Sequence, residues 1–174
     1  MGTDVEDELH SMVLGIVNEI EAAADGRLYK AGNGGFNIID DIDEWKEERY
    51  KEKADKFREE HPESGFDSEE YGFDTYEEWM EDEIGTADDI DEPEEVSLAD
   101  YVSDQALGDT RYEVDSEKDL NGARTLFTCG GPTIWVYDDR VEGFWGHGHV
   151  EMSLDSDAAR AMYDMFEEWW ETIK

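Results

Sequence analysis

Residues 133–145 read Thr-Ile-Trp-Val-Tyr-Asp-Asp-Arg-Val-Glu-Gly-Phe-Trp, and a helix-patterned stretch, DSDAARAMYDMFEEWWETI, follows at 155–173. Ile134 and Val136 alternate with Thr133, Trp135 and Tyr137, as a strand with two chemically different faces requires. Asp138-Asp139 is a turn, and Val141–Trp145 is the returning strand. Upstream, Arg111–Asp115 and Arg124–Cys129 read as further strands, with Gly130-Gly131-Pro132 as a turn, and His149–Leu154 offers a fifth. Asp155 or Ser156 caps the closing helix, whose apolar stripe is Ala158, Ala159, Met162, Met165, Phe166, Trp169 and Ile173. Asp157, Arg160, Asp164, Glu167, Glu168 and Glu171 fall on its water side. The expectation is an α+β fold, with an antiparallel sheet of about four strands packed by a terminal amphipathic helix.

Working back from there, the chain is helical and acidic. Val5, Leu9, Met12, Val13, Ile16, Val17 and Ile20 place an amphipathic helix over residues 4–24, ended by Asp25-Gly26. A short extended piece at Phe36–Ile39 leads to a second helix over 41–60, stopped by His61-Pro62. Residues 62–74 read as a loop. Thr75-x-x-Glu78 is a capping-box pattern that opens a helix with Tyr76, Trp79, Met80 and Ile84 on one face. Ser97 caps a further short helix to about Leu107. The division falls near residue 108, giving an acidic helical region (1–108) and an α+β module (109–174).

Charge is the dominant feature. The 174 residues carry 50 Asp and Glu against 14 Lys and Arg, a formal net charge of −36. From Glu59 to Thr110 there is no Lys or Arg, and 21 of the 52 residues are acidic. If that stretch were wholly helical, at ~1.5 Å per residue, the acids would average about one per 3.7 Å. A DNA strand presents one charge per about 3.4 Å of axis. The six Trp, eight Tyr and seven Phe make the chain too aromatic for a disordered acidic tail. Such net charge opposes folding by self-repulsion, so it points to life in high salt or to a strongly cationic partner. Lysine is not selectively depleted, at seven Lys and seven Arg, and the acids are uneven: 34 in residues 1–100 and 16 in 101–174. Solvent adaptation spreads charge more evenly than this.

Sites for chemistry are sparse. His147-Gly-His149 would set two imidazoles on one side of a strand, short of a full ligand set. Asp89-Ile-Asp91-Glu92-Pro93 lacks the glycine of a calcium loop. No P-loop, dinucleotide fingerprint, nucleophile elbow or Cys/His nucleophile pattern is present. Cys129 is the only cysteine, and the N-terminal segment is acidic, so a soluble protein of the bacterial cytoplasm is expected, with neither cofactor nor metal.

The Cys129-Gly-Gly-Pro-Thr-Ile-Trp-Val136 turn and strand, Gly143-Phe-Trp-Gly146 and the Trp-rich acidic helix resemble small acidic proteins of bacterial phages and mobile elements. The composition resembles anti-CRISPR and anti-restriction proteins that mimic nucleic acid. The resemblance implies a genomic setting more than an activity, and the compositional likeness transfers no residue; the anionic surface and the missing catalytic motifs carry the expectation of a stoichiometric inhibitor and not an enzyme. The expected contact surface joins aromatic anchors Phe66, Tyr71, Phe73, Tyr76 and Trp79 to the acids Asp67, Glu69, Glu70, Asp74, Glu77, Glu78, Glu81, Asp82, Asp88, Asp89, Asp91, Glu92, Glu94 and Glu95. Its partner would be the basic nucleic-acid groove of a CRISPR effector or restriction enzyme, with no direct binding to nucleic acid or membrane. The competing readings are a halophilic or generically acidic binding module, and a divalent-ion protein or small hydrolase.

Overall fold

The computed structural model describes residues 2–174 as an α+β protein of two compact units. One unit joins Met1–Ile38 to Glu95–Lys174; the other is Ile39–Glu94. The expected division at residue 108 is therefore corrected. The N-terminal helix belongs with the sheet, and the acidic unit is an insertion.

In the first unit, α1 (Gly2–Ala24) leads to a small antiparallel pair, β1 (Leu28–Lys30) and β2 (Phe36–Ile38). After the insertion, Glu95 bridges Tyr29, and helix α5 (Leu98–Gln105) follows, its numbering leaving α2–α4 for the inserted unit. Ser97 caps α5 by accepting the Asp100 amide at 3.1 Å. Five strands then run as an antiparallel meander, one more than the four expected: β3 (Thr110–Val114), β4 (Leu120–Thr128), β5 (Thr133–Tyr137), β6 (Arg140–Trp145) and β7 (Gly148–Ser153). Helix α6 (Ser156–Ile173) closes the chain, and Asp155 caps it by accepting from the amides of Asp157 and Ala158.

The alternation in β5 decides which face is covered. Ile134, Val136 and Val141 are fully buried against α1 and α6, with Leu9, Val13, Ile20, Met162 and Phe166 closing the core. Gly143 sits where α1 crosses β6. A Cβ there would lie 2.8 Å from both Leu9 Cδ1 and Val13 Cγ2, so the close approach depends on the missing side chain. Tyr163 and Trp170 of α6 donate to the carbonyls of Leu120 (2.8 Å) and Lys118 (3.0 Å), fixing the helix across β4. The opposite face of the sheet presents Thr133, Trp135 and Tyr137 of β5, all half-buried.

The inserted unit contains α2 (Ile42–Glu60), α3 (Ser68–Tyr71, a single turn) and α4 (Tyr76–Ile84), with 3₁₀ turns at Glu63–Gly65 and Ala87–Asp89. Asp41 caps α2 through the Asp43 and Glu44 amides, and Thr75 Oγ1 accepts the Glu78 amide at 3.2 Å. The small core is Ala54, Phe57, Tyr76, Trp79, Met80 and Ile84, with Tyr50, Phe66 and Phe73 packed against it. No helix among the described residues is long and apolar enough to cross a membrane.

Candidate functional site: an acidic unit and an arginine–aromatic sheet face

The Ile39–Glu94 unit holds 25 Asp and Glu against six Lys and Arg, half of the chain's acids in about a third of its length. All six bases lie on α2, where several are matched locally: Lys46 to Glu92 (3.1 Å), Arg49 to Glu52 (2.7 Å) and Arg58 to Asp55 (3.1 Å). Lys53 donates instead to the Ile84 carbonyl at 2.6 Å, tying α2 to the end of α4. From Glu59 to Glu94 there are 17 acids and no Lys or Arg.

Helix α4 separates its two chemistries cleanly. Tyr76, Trp79, Met80 and Ile84 face the core, while Glu77, Glu78, Glu81, Asp82 and Glu83 are exposed. Nine helical residues span about 13.5 Å, so these five carboxylates average about one per 2.7 Å. That falls between the charge spacing of one DNA strand, about 3.4 Å, and that of the duplex, about 1.7 Å.

The other expected contact residues divide by local role. Glu69, Glu70, Asp74, Asp88 and Asp91 are exposed. Asp67 is also exposed but caps α3, accepting from Glu69 N (2.9 Å) and Glu70 N (3.4 Å). Asp89 accepts from the backbone and hydroxyl of Thr86 at 2.8 and 2.9 Å, and these donors hold its carboxyl below the usual carboxylate range. Glu92 is engaged by Lys46, and Glu94 is exposed and also partnered. Glu95 belongs to the other unit, where its backbone bridges Tyr29.

The aromatic anchors require correction. Tyr76 and Trp79 are 6% and 7% exposed and form the core of the unit. Trp79 stacks on Tyr71 at 4.2 Å and packs edge-on to Phe57 at 5.1 Å, and the Tyr76 hydroxyl donates to the His61 carbonyl at 2.6 Å. Tyr76 and Trp79 share that interior with Phe57, Met80 and Ile84, so their rings are taken up by the unit's own core. Phe66 and Phe73 are half-buried against the same core, which leaves Tyr71, at 38%, as the exposed ring of the set. A notch of about 150 Å³ opens beside it, between Trp79 and the His61-Pro62 bend.

The sheet face that bears Arg124, Trp135 and Tyr137, all half-buried, is a second candidate, and the sequence reading missed it. Arg111 pairs across from Arg124, and Arg124 across from Tyr137. Arg111 and Arg124 each lie 4.8 Å from the Trp135 ring, while Arg124 and Arg140 stack on Tyr137 at 5.5 and 3.9 Å. Guanidinium planes thus alternate with aromatic rings, an arrangement favoured by cation–π attraction. The period-two alternation of Arg124, Trp135 and Tyr137 is the signal that could have found it. Comparison with family models, curated proteins and solved structures returns no match.

Farther along the same face, Glu142, His149 and Glu151 bring ligand atoms within 4.8 Å of one another. Arg140 Nε lies 3.0 Å from Glu142 and 3.5 Å from Glu151, so a protein cation already sits between the carboxylates. Burial would raise the Glu142 carboxyl, but hydrogen bonding from Arg140, with Glu151 and Tyr137 alongside, holds it below the usual range. His147 lies in the turn between β6 and β7, and His149 stacks on Phe144 at 4.7 Å. The two histidines therefore do not share one strand face as the sequence suggested.

Proposed function

We propose that this chain is a stoichiometric inhibitor of a nucleic-acid-binding protein, with its acidic inserted unit entering a groove built for phosphate backbone. CRISPR effectors and restriction enzymes are the leading targets, and a phage or mobile element is the proposed setting. The observation that carries the reading is α4: five exposed carboxylates at nucleic-acid-like spacing, on a helix whose other face is anchored by an aromatic core. A packed core means the charges are ordered before binding, which lowers the entropy cost of association relative to a disordered acidic tail. The run from Glu59 to Glu94 supplies 17 acids and no Lys or Arg of its own, so the cations that meet it in the inserted unit come from α2, as in Lys46–Glu92 and Lys56–Glu60. Tyr71, with the edges of Phe66 and Phe73, supplies apolar contact at the rim.

The test is charge reversal on the exposed face. The variant Glu77→Lys, Glu78→Lys, Glu81→Lys, Asp82→Lys changes no buried side chain. It is expected to weaken inhibition of the target's nucleic-acid binding by at least ~10-fold, because like charges would then face the groove. Its circular dichroism spectrum should match that of the wild type. Full inhibition by the variant would remove α4 from the mechanism.

A further inference from the structure

The arginine–aromatic face contains one arginine, Arg124, that makes no salt bridge among the described residues. Arg111 binds both carboxylate oxygens of Asp109, at 3.1 and 2.9 Å. Arg140 is held by Asp139 (2.7 Å), Glu142 (3.0 Å) and Glu151 (3.5 Å). Arg124, half-buried between them, donates through Nη1 to the Tyr137 hydroxyl at 2.8 Å and forms no salt bridge among the described residues. Asp109 and the rings of Trp135 and Tyr137 compensate its charge through space, but none of them takes a hydrogen bond from its Nε–Nη2 edge.

The three arginines line one cleft of about 410 Å³, together with Tyr137, Glu113 and Asp138. That volume lies within the roughly 300–1,000 Å³ of small-molecule sites. The Trp135 and Tyr137 rings, 4.8 and 5.5 Å from Cζ, and the Nη1 bond to the Tyr137 hydroxyl hold the Arg124 guanidinium in place. Its Nε and Nη2 donors have no acceptor among the described residues. A planar fork with two free donors matches a carboxylate bidentately. The cleft wall also sets the charge of the ligand. Glu113, Asp138 and Asp139 line it, so one negative charge is balanced by Arg124 and a second would meet the wall acids. Asn121, also on the wall, offers an amide for a hydroxyl or similar polar group.

We propose that this cleft binds a small organic monocarboxylate, with the Arg124 guanidinium as its anchor. The site is separate from the acidic unit and does not depend on the inhibitor reading.

The experiment follows the arginine Nε–Hε resonances of the ¹⁵N-labelled full chain by NMR, with the Arg124 signal assigned by its loss in Arg124→Met. Acetate, lactate and inorganic phosphate are titrated at constant ionic strength. The expected result is a saturable shift of the Arg124 signal with acetate and lactate, and a weaker response to phosphate. Arg124→Met, which keeps an apolar stem over Trp135, should abolish the binding seen through the neighbouring Arg111 and Arg140 signals. Arg124→Lys keeps the charge but loses the fork, and should bind at least ~10-fold more weakly while remaining folded. No saturable shift with either carboxylate would overturn the proposal. So would tighter binding of phosphate, or undiminished binding by Arg124→Lys.

Discussion

Replacing Trp79 with alanine separates a core residue from a contact residue. The ring is 7% exposed and meets Tyr71, Phe57, His61, Phe66 and Tyr76 at centroid distances of 4.2, 5.1, 5.5, 5.7 and 5.9 Å. Truncating a buried Trp to Ala costs ~3–5 kcal/mol through lost transfer energy and the cavity left behind. The Ile39–Glu94 unit has 56 residues. At roughly 0.05–0.15 kcal/mol per residue, its whole stability is on the order of 3–8 kcal/mol. The substitution therefore removes between about two fifths and all of what holds the unit folded. Hydrogen exchange read by mass spectrometry, peptide by peptide, is the assay. Amides of α2 and α4 should lose protection in Trp79→Ala while those of β4–β6 keep theirs, since local units open with their own free energies. If protection in α2 and α4 fell by less than ~1 kcal/mol equivalent, the ring would not be supporting the unit and the core assignment would fail.

Three further outcomes follow from the first unit. Gly143→Ala should lower stability by ~1–3 kcal/mol in a urea melt, because its Cβ would sit 2.8 Å from Leu9 and Val13; an unchanged midpoint would mean α1 does not cross there. Tyr101 is fully buried and donates to Glu19 Oε2 at 2.7 Å, and burial with that contact pushes its phenol far above the ordinary range. Tyr101→Phe should then cost ~1.5–3 kcal/mol in a urea melt, the worth of a hydrogen bond to a charged group, and an unchanged midpoint would mean that the Glu19 contact adds nothing. Burial lifts the Asp138 carboxyl above its usual value, the Ala123 amide only partly opposing this. A carboxyl raised in the folded state favours folding below its unfolded pKa, and that contribution is lost as pH rises through the folded value. The wild type should accordingly lose stability relative to Asp138→Asn as pH rises from about 3 to 7, and a flat difference would contradict the burial.

Local signals made most of the elements readable. Thr133–Tyr137 alternates as a strand with one buried face must, and the caps at Asp41, Thr75, Ser97 and Asp155 all lie where short polar side chains precede an apolar period. Strand β7 was legible as a possible fifth strand, and β1 was not, being three residues whose pairing with β2 depends on the intervening loop. What a linear reading could not supply was long-range partnership. The stripe Leu9, Val13, Val17 and Ile20 says that α1 is buried on one side but not that its partner lies more than a hundred residues away in β6 and β7. The division at 108 failed for that reason, since composition changes there while packing does not. Tyr76 and Trp79 were legible as one helix face, but whether that face met a core or a partner depended on Phe57, supplied by α2. The arginine–aromatic row was hidden because its members come from four strands and only register brings them together.

The most direct measurement uses the purified chain as bait in lysates of bacteria carrying CRISPR and restriction systems, eluted by a salt gradient and read by mass spectrometry, with the α4 charge-reversal variant as the paired control. The account predicts one nucleic-acid-binding defence complex, released at moderate salt because the contact is electrostatic, and absent from the variant. Recovery of no such complex, or of the same proteins by both baits, would contradict it.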